Sequence, residues 1–421
     1  MLVTLILIFA VAYAAIALEH PIGISKSASA LFGAGLLWTV YALSTNDHTR
    51  VEHELTATIA GTAQIIFFLM GAMTIVEAID AHDGFEIITS RIRTKSLTGL
   101  LWLVAWITFL LSAILDNLTT TIVMVSLVRK ILKRDGDRLL FASIIVIAAN
   151  AGGAWSPIGD VTTTMLWIGG QVSPFGIIKA LFLASTVNLI VPLSVVTYRL
   201  RGQRFSLSAP ARTLDPGHNI IFALGLGILV LVPVFKQVTH LPPFMGILFG
   251  LGILWLASEM LHRRKEPEIR QRLAIGDALS RIDHSSLLFF TGILLAVATL
   301  EHTKVLAFLA TWLDQTIGRL DVIGLVLGIL SAIVDNVPLV AAAMGMYGTG
   351  QYPADTFLWE FVAYCAGTGG SILIIGSAAG VAAMGIEKIQ FLWYARRIAW
   401  LALLGYFAGA AVYIMQYKLM H

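Results

Sequence analysis

The sequence predicts an all-α polytopic membrane protein built as an inverted repeat, and three observations support this fold class. Hydrophobic residues make up 57% of the 421 residues, charged residues make up 13%, and the mean hydropathy is +0.84. Soluble domains carry about 25% charged residues. Ten apolar runs are long enough, or nearly so, to cross a bilayer. Three short motifs of the first half return in the same order in the second half. A large soluble protein with an oily core is the alternative that this composition disfavours.

The composition also excludes several classes of function. Cys365 is the only cysteine, so no disulfide can form within one chain. No pattern indicates a catalytic cysteine, a zinc cluster or a phosphate-binding loop. The net charge of +3 does not indicate a nucleic-acid partner. We therefore expect a protein that is not an enzyme and has no bound cofactor.

The apolar runs define the predicted spans in chain order. A span needs about 20 apolar residues. The first run lacks a basic segment before it, so we interpret it as a retained span, with a cleaved signal peptide as the alternative. The predicted spans are residues 2–18, 27–45, 58–79, 140–168, 176–198, 218–235, 243–261, 285–300, 357–385 and 397–417.

Two further apolar regions are predicted to form re-entrant hairpins. Residues 97–132 contain Asp116-Asn117 near the middle, and residues 320–347 contain Asp335-Asn336. Each arm on either side is expected to be too short to cross the membrane alone. Irregular backbone at this depth is tolerated only where it is buried in protein or lines a wet cavity. We therefore expect each Asp-Asn pair at a hairpin tip.

Two spans are predicted to be broken helices, because 140–168 and 357–385 are too long and are interrupted by Gly and polar residues. Each contains a pair of glycines followed by Ile-Gly, and the two copies are 217 residues apart. The hairpin tips are 219 residues apart, and a Phe-Phe pair in each half is offset by 222. These matches predict a repeat. Its members are Gly152-Gly153 with Ile158-Gly159, Gly369-Gly370 with Ile375-Gly376, and Phe67-Phe68 with Phe289-Phe290.

Each half of the chain contains three spans, a hairpin, a broken helix and a closing helix, and thus crosses the membrane five times. Five is odd, so the second copy is inverted relative to the first, which is a secondary-transporter architecture with its site at the discontinuous helices. The predicted divisions are residues 1–200 for the first repeat, 201–217 for a cytoplasmic linker and 218–421 for the second repeat.

The distribution of basic residues predicts the orientation. With these crossings, six of the 28 Lys and Arg residues fall on the side of the N-terminus and the other 22 on the opposite side. The positive-inside rule then makes the opposite side cytoplasmic and places both termini outside, in a plasma-membrane protein. Residues 80–96 are predicted to form an amphipathic helix at the interface, with an ordinary charged loop as the alternative.

Deep acidic residues are the candidates for function. Asp116, Asp160 and Asp335 are predicted near the midplane, with no Lys or Arg beside them. Burying a carboxylate in the membrane costs free energy, so a carboxylate at this depth indicates a functional site. The alternative is that Asp116 and Asp335 only cap the following helices. Three acids without a base favour a cation as substrate.

The broken helices are predicted to complete an oxygen-only shell around each hairpin tip. Pro157 and Gly159 free backbone carbonyl groups in the first half. Oxygen ligands suit an alkali or alkaline-earth cation, and we expect Na⁺ at Asp116, Asn117, Ser156 and Asp160. Ser377 stands where Asp160 stands in the first half, so the first site should be more acidic. The full candidate set is Asp116, Asn117, Thr120, Ser156, Gly159, Asp160, Asp335, Asn336, Thr368, Ser371 and Ser377.

Three motifs carry a resemblance to a known family. Residues 115–121 (LDNLTTT), 156–164 (SPIGDVTTT) and 331–336 (SAIVDN) resemble the NhaD-type sodium/proton antiporters. These belong to an ion transporter superfamily that also contains arsenite pumps and sodium-coupled dicarboxylate carriers, and the resemblance covers nearly the whole chain. It implies a homodimer with a scaffold domain and an elevator-like transport domain. The dicarboxylate branch has Ser-Asn-Thr tips, whereas Asp116 and Asp335 stand at the Ser positions here.

The predicted mechanism is exchange of Na⁺ (or Li⁺) for H⁺ on shared carboxylates. Burial favours protonation of a carboxylate, and a bound cation favours ionisation, so loading of Na⁺ expels H⁺. One alternative is an anion transporter of the same superfamily, which a Lys or Arg near the hairpin tips would favour. Another is an intramembrane aspartyl protease, which needs two carboxylates that share a proton.

The histidines carry a separate alternative. Most lie at loops and span ends, where we interpret them as solvated residues. A pH sensor that gates the carrier is the alternative. The residues concerned are His48, His53, His82, His262, His284 and His302.

Overall fold

The computed structural model describes residues 2–84, 96–200, 217–263, 265–333 and 335–420, and this part of the chain is helical. In the first half the helices are α1 Leu2–Ala17, α2 Glu19–Ile22, α3 Lys26–Leu43, α4 His48–Ala81, α5 Leu97–Leu115, α6 Asn117–Ile131, α7 Asp135–Ala154, α8 Val161–Ile168 and α9 Pro174–Arg199.

The second half repeats this order with additional short helices. Its helices are α10 Gly217–Thr239, α11 Pro243–His262, α12 Pro267–Arg272, α13 Ile275–Arg281, α14 His284–His302, α15 Val305–Thr316, α16 Leu320–Ser331, α17 Asn336–Met346, α18 Phe357–Gly369, α19 Ala378–Glu387, α20 Phe391–Arg397 and α21 Ala399–Met420.

Both predicted helix breaks are confirmed. The first broken helix consists of α7 and α8, separated by residues 155–160, and the second consists of α18 and α19, separated by residues 370–377. The hairpins are also present as helix pairs. α5 and α6 meet at Asp116, and α16 and α17 flank the tip that contains Asp335.

Several helix lengths differ from the predictions. Eight described helices are long and apolar enough to span a membrane, namely α4, α5, α7, α9, α10, α11, α14 and α21. The expectation that each hairpin arm is too short is therefore wrong for α5, whose 19 residues reach about 28 Å. α4 has 34 residues and begins ten residues before the predicted span 58–79. Its polar first turns are stabilised by the Asp47 N-cap and by the ion pair of Arg50 with Glu54.

Some polar stretches contain helices that the sequence patterns did not predict. The connector 262–284 contains α12 and α13, and α15 follows the span α14. The predicted interfacial helix at 80–96 and the linker 201–217 lie largely outside the described residues.

The helices pack into two bundles, each built from both halves of the chain. The three-span bundle contains α1, α3, α4, α10, α11 and α14, and the hairpin bundle contains α5–α9 and α16–α21. The bundles meet where α14 and α15 pack on α17, α4 packs on α8, and α10 packs on α5. The candidate residues of both hairpins and both breaks therefore belong to one bundle.

Large apolar side chains cover much of the outer surface. Phe175 is 88% exposed, Met260 is 78% exposed, and Phe32 and Phe308 are each 74% exposed. A soluble protein rarely exposes this many large apolar side chains. With eight apolar helices of spanning length, this surface fits a lipid bilayer.

Matched residues of the two halves have the same local structure. Ser112 donates a hydrogen bond to the carbonyl oxygen of Ala149 (2.7 Å), and Ser331 donates to that of Ala366 (2.8 Å). A methyl group on Gly159 would lie 2.7 Å from the carbonyl oxygen of Ser112. One on Gly376 would lie 2.7 Å from that of Ser331. Glycine is therefore required where each break touches its hairpin. The inversion of the halves across a membrane stays a prediction.

Candidate functional site

Four short helices begin inside the hairpin bundle, and a predicted site residue caps each of them. The N-caps of α6, α8, α17 and α19 are Asp116, Asp160, Asp335 and Ser377. Each side chain accepts a hydrogen bond from a main-chain N–H of its own helix. These hydrogen bonds confirm that Asp116 and Asp335 cap the helices that follow them. Ser377 shows that the cap itself does not need a charge.

Asp160 forms the centre of the candidate site. Its side chain is 1% exposed, and its Oδ1 accepts from the N–H (2.8 Å) and the hydroxyl (2.7 Å) of Thr162. The Asn117 amide donates to its Oδ2 at 2.5 Å, and the Asn336 amide lies 3.3 Å from the same oxygen. The tips of both hairpins therefore meet at this one carboxylate.

A second polar chain joins the two helix breaks. Asn150 accepts from the Asn117 amide (3.0 Å) and donates to the Ser377 hydroxyl (2.9 Å), and its side chain is fully buried. Asn150 is a residue of this cluster that the sequence patterns did not predict. The signal was a carboxamide within the buried apolar stretch near the end of α7, since a buried polar group needs a partner.

Asp116 lies at the edge of a cavity between the two bundles. Its φ angle is 91°, a region that L residues rarely adopt and that costs of order 1–3 kcal/mol. Its carboxylate accepts from the N–H (2.8 Å) and the hydroxyl (2.9 Å) of Thr119. Asp335 has φ −45°, so the two tips differ in conformation.

The cavity measures about 50 Å³, and Asp116 and Asp160 are its acidic lining residues. The rest of its wall is mainly apolar. It comes from α4, α10, α11 and α14 on one side and from the first hairpin, the first break and Ala378 of α19 on the other. About 10–15 Å³ of such space holds one water molecule. The cavity is therefore large enough for an ion with a few waters.

The other predicted ligands of the first half are partly engaged elsewhere. The Ser156 hydroxyl donates to the Ala113 carbonyl oxygen at 2.5 Å, which ties the break to the hairpin. The Ser156 oxygen can still accept a hydrogen bond or bind a cation, and the predicted grouping of Asp116, Asn117, Ser156 and Asp160 around one ion stays a prediction. Thr120 is different, because its hydroxyl is buried and forms no hydrogen bond among the described residues.

Two predicted residues of the second half point into their own broken helix. The Thr368 hydroxyl donates to the Tyr364 carbonyl oxygen (2.6 Å), and the Ser371 hydroxyl donates to the Thr368 carbonyl oxygen (2.6 Å). Hydroxyl groups in helices often bond back to the preceding turn in this way. Both hydroxyls therefore donate within their own broken helix, and their predicted place in a cation site at the second hairpin tip stays a prediction.

The expectation that no base lies near the hairpin tips is wrong. The Nζ of Lys26 is 2.9 Å from Oδ2 of Asp335. Lys26 is 309 residues away in sequence, at the start of α3, where the pattern placed it in a loop. Asp116 and Asp160 form no ion pair with a Lys, Arg or His within the described ranges.

The hairpin bundle contains a further buried acid outside the cluster around Asp160. Glu360 is a buried acid that the sequence analysis did not single out, and it accepts from the Tyr413 hydroxyl at 2.7 Å. The described residues contain no group of three or more His, Cys, Asp and Glu side chains arranged to hold a metal ion.

Comparisons with known proteins agree with this architecture. A family model described as a citrate transporter matches residues 8–367. The solved structure of the YdaH transporter from Alcanivorax borkumensis superposes with a TM-score of 0.54, at 14% identity, over 88% of each chain. This likeness supports the fold.

Relatives with much higher identity have been described. Sodium/proton antiporter 1 of Arabidopsis thaliana is 48% identical over 421 residues, across 99% of this chain and 73% of its own length. Sodium/proton antiporter 2 of the same plant is 45% identical, across 97% of this chain and 98% of its own length. The Na⁺/H⁺ antiporter NhaD of Vibrio cholerae is 31% identical, across 97% and 91%.

Each of these three relatives matches at least 97% of the chain. The chain is a multi-pass membrane protein, and it belongs to the NhaD-type sodium/proton antiporters of the ion transporter superfamily.

Proposed function

We propose that this protein exchanges Na⁺ (or Li⁺) for H⁺ across the membrane, with Asp160 as the group that binds either ion. The observation that carries the proposal is the environment of Asp160. It is a buried carboxylate with amide, hydroxyl and main-chain donors around it and no basic partner among the described residues. A buried charge without a counter-charge is costly. Neutralisation by a proton or by a cation removes that cost.

Asp116 extends the site into the cavity. Its carboxylate lies on the wall shared by the two bundles, so an ion that enters this cavity meets Asp116 and Asp160 together. Two negative charges in a small, mainly apolar space are costly, so a proton neutralises one of these carboxyl groups when no cation is bound. The binding of one cation therefore favours release of a proton from the same space, which couples the two ions.

The test is Na⁺-driven proton movement in everted membrane vesicles, followed with a pH-sensitive dye. Asp160→Asn and Asp116→Asn keep a side chain that caps a helix well, so a loss of exchange would be due to the lost charge. Both variants should lose nearly all exchange. Asp135→Asn removes a surface carboxylate that is 83% exposed at the start of α7 and should leave exchange unchanged. Wild-type rates in both site variants would refute the proposal.

The alternating-access step is proposed to be a movement of the hairpin bundle along the three-span bundle. The candidate residues lie on the hairpin bundle, and the cavity lies at its border with the other bundle. Cys365 can be replaced by Ser to give a chain without cysteine. Leu118→Cys in this background should then change its reactivity from one side of the membrane to the other when Na⁺ is added.

An anion carrier is the second candidate, and Lys26 together with the citrate-transporter family model favours it. The charge of Lys26 is paired with Asp335, however, and the acidic residues of the cavity wall, Asp116 and Asp160, would repel an anionic substrate. Uptake of radiolabelled citrate by proteoliposomes, without Na⁺/H⁺ exchange, would favour this candidate.

Assembly and orientation are also part of the proposal. We infer a homodimer, as the resemblance to the family implies, and light scattering of the purified protein tests its mass. We also infer that both termini lie outside the cytoplasm. An alkaline phosphatase fused after residue 421 should then be active, whereas a fluorescent protein that needs the cytoplasm should stay dark.

A further inference from the structure

Lys26 and Asp335 form an ion pair across the border between the two bundles. The Nζ–Oδ2 distance is 2.9 Å, and the two side chains are 21% and 10% exposed. Lys26 belongs to α3 of the three-span bundle, and Asp335 is the tip of the second hairpin. The pair therefore joins the two parts of the molecule that the proposed transport step moves apart.

Lys26 is held by its own bundle rather than by the hairpin. Its ammonium group lies 4.5 Å from the ring centroid of Phe289 on α14, and its main-chain N–H donates to Glu19 at 3.0 Å. When the hairpin moves relative to this bundle, Lys26 stays behind.

The local structure gives no reason for a lysine at this position. A positive charge in the first turn of a helix is disfavoured by the helix dipole, and Ser25 already supplies the N-cap of α3. The nearby acid Asp283 is engaged as the N-cap of α14, where it accepts from the N–H (3.1 Å) and the hydroxyl (2.5 Å) of Ser286. Among the described residues, Asp335 is the acid with which this ammonium group forms an ion pair.

We propose that Lys26 is a tethered counter-cation that competes with the transported cation for Asp335. This inference rests on the proposed cation exchange. One positive charge neutralises Asp335, and Lys26, Na⁺ and H⁺ are the three candidates for it. In the present conformation Lys26 occupies the carboxylate, and after the hairpin has moved away Asp335 takes Na⁺ or H⁺ instead.

The return of the hairpin reverses this exchange. The ammonium group of Lys26 then replaces the ion on Asp335, and one Na⁺ or one H⁺ leaves to water while the Asp335–Lys26 pair stays neutral. The affinity of the second hairpin for the cation is thus lower in this conformation than in the other one. Lys26 acts as a positioning residue that makes the two conformations unequal.

A purely structural ion pair predicts a different result. Loss of a structural pair would weaken Na⁺ binding or leave it unchanged, because the site would be less ordered. Loss of a competitor strengthens Na⁺ binding. The gain should be about tenfold, which corresponds to about 1.4 kcal/mol.

The experiment measures Na⁺ binding to the purified full-length protein by calorimetry at alkaline pH, where carboxylates are ionised. Lys26→Met should bind Na⁺ about tenfold more tightly than the wild type, and Lys26→Arg should bind like the wild type. In an Asp335→Asn background, Lys26→Met should give no gain. Arg319→Gln removes the ion pair of Arg319 with Asp321 in the same hairpin and should leave Na⁺ affinity unchanged.

A second variant tests the charge without depending on the fold of Lys26→Met. Lys26→Cys in a Cys365→Ser background can be modified with an aminoethyl methanethiosulfonate, which forms a disulfide and restores a positive charge. Na⁺ affinity should be high before modification and should fall after it. An uncharged methyl methanethiosulfonate should leave the affinity high.

The outcomes separate the two proposals. If the wild type exchanges Na⁺ for H⁺ but neither Lys26 variant gains affinity, the counter-cation role is wrong and the proposed function stands. If the wild type neither binds Na⁺ nor exchanges it, both proposals fail. Tighter Na⁺ binding that disappears without Asp335 supports the counter-cation.

Discussion

The Asn336 amide lies 3.3 Å from Oδ2 of Asp160, although 176 residues separate them in the sequence. Asn336 belongs to the tip of the second hairpin and Asp160 to the first helix break. The candidate site is therefore not one site in each half. It is a single cluster that both halves build around the carboxylate of the first half.

This contact predicts the effect of Asn336→Ala. The substitution removes the donor that the second hairpin supplies to Asp160, and a hydrogen bond to a charged group contributes about 1.5–3 kcal/mol. The Na⁺ concentration for half-maximal exchange should rise by about tenfold or more, as vesicle assays over a range of Na⁺ concentrations would measure. Asn188→Ala is the control, because Asn188 is a buried amide on α9 that bonds to Tyr364 away from the cavity. It should lower thermal stability without changing this Na⁺ concentration, and equal effects of the two variants would contradict the prediction.

The two break glycines predict a matched pair of folding defects. A methyl group on Gly159 or Gly376 would lie 2.7 Å from a main-chain oxygen of the hairpin, which cannot move without displacing the helix. Each substitution to Ala should destabilise the protein by about 1–3 kcal/mol. Thermal unfolding in detergent measures this change. Gly136→Ala is the control, since a methyl group there meets nothing within 4 Å, and a loss of stability as large as that of Gly159→Ala would show that crowding is not the cause.

Shared carboxylates predict a particular pH dependence. If Na⁺ and H⁺ compete for Asp116 and Asp160, a fall in pH raises the proton concentration and therefore raises the apparent KM for Na⁺. The increase should reach up to about tenfold per pH unit where one proton competes with one Na⁺. The maximal rate at saturating Na⁺ should change much less. Initial exchange rates at several pH values measure both parameters, and a constant KM with a falling maximal rate would indicate separate sites for the two ions.

The alternative that histidines act as a pH sensor can be tested on one pair of residues. The Nε2 atoms of His82 at the end of α4 and His262 at the end of α11 lie 2.9 Å apart, and both side chains are buried. One ring donates and the other accepts when both are neutral, so protonation of both places two like charges in contact. We expect the wild type to lose thermal stability at acidic pH more steeply than His262→Gln. An activity–pH curve that is the same for the wild type and His262→Gln would exclude the pair as a sensor. His284→Gln is the control, because His284 lies at the start of α14, outside this pair.

Much of this architecture was readable from the sequence for a physical reason. Burying a polar residue in a membrane costs free energy. The acidic residues Asp116, Asp160 and Asp335 inside long apolar runs therefore indicated where the helices are interrupted. Pro157 and Gly159 marked the first break because they cannot continue a regular helix without cost. The predicted breaks and capping residues follow from such local properties.

The partners of these residues were decided by tertiary structure. The pairing of Lys26 with Asp335, the convergence of Asn117 and Asn336 on Asp160, and the role of Asn150 all depend on packing between distant helices. No local sequence pattern shows which residues Lys26 or Asn150 will contact. The same reason explains why Thr368 and Ser371 were assigned to the site although their hydroxyls bond to their own helix. The sequence by itself determined where charge enters the apolar interior, and only the packing of the two bundles decided which charge neutralises which.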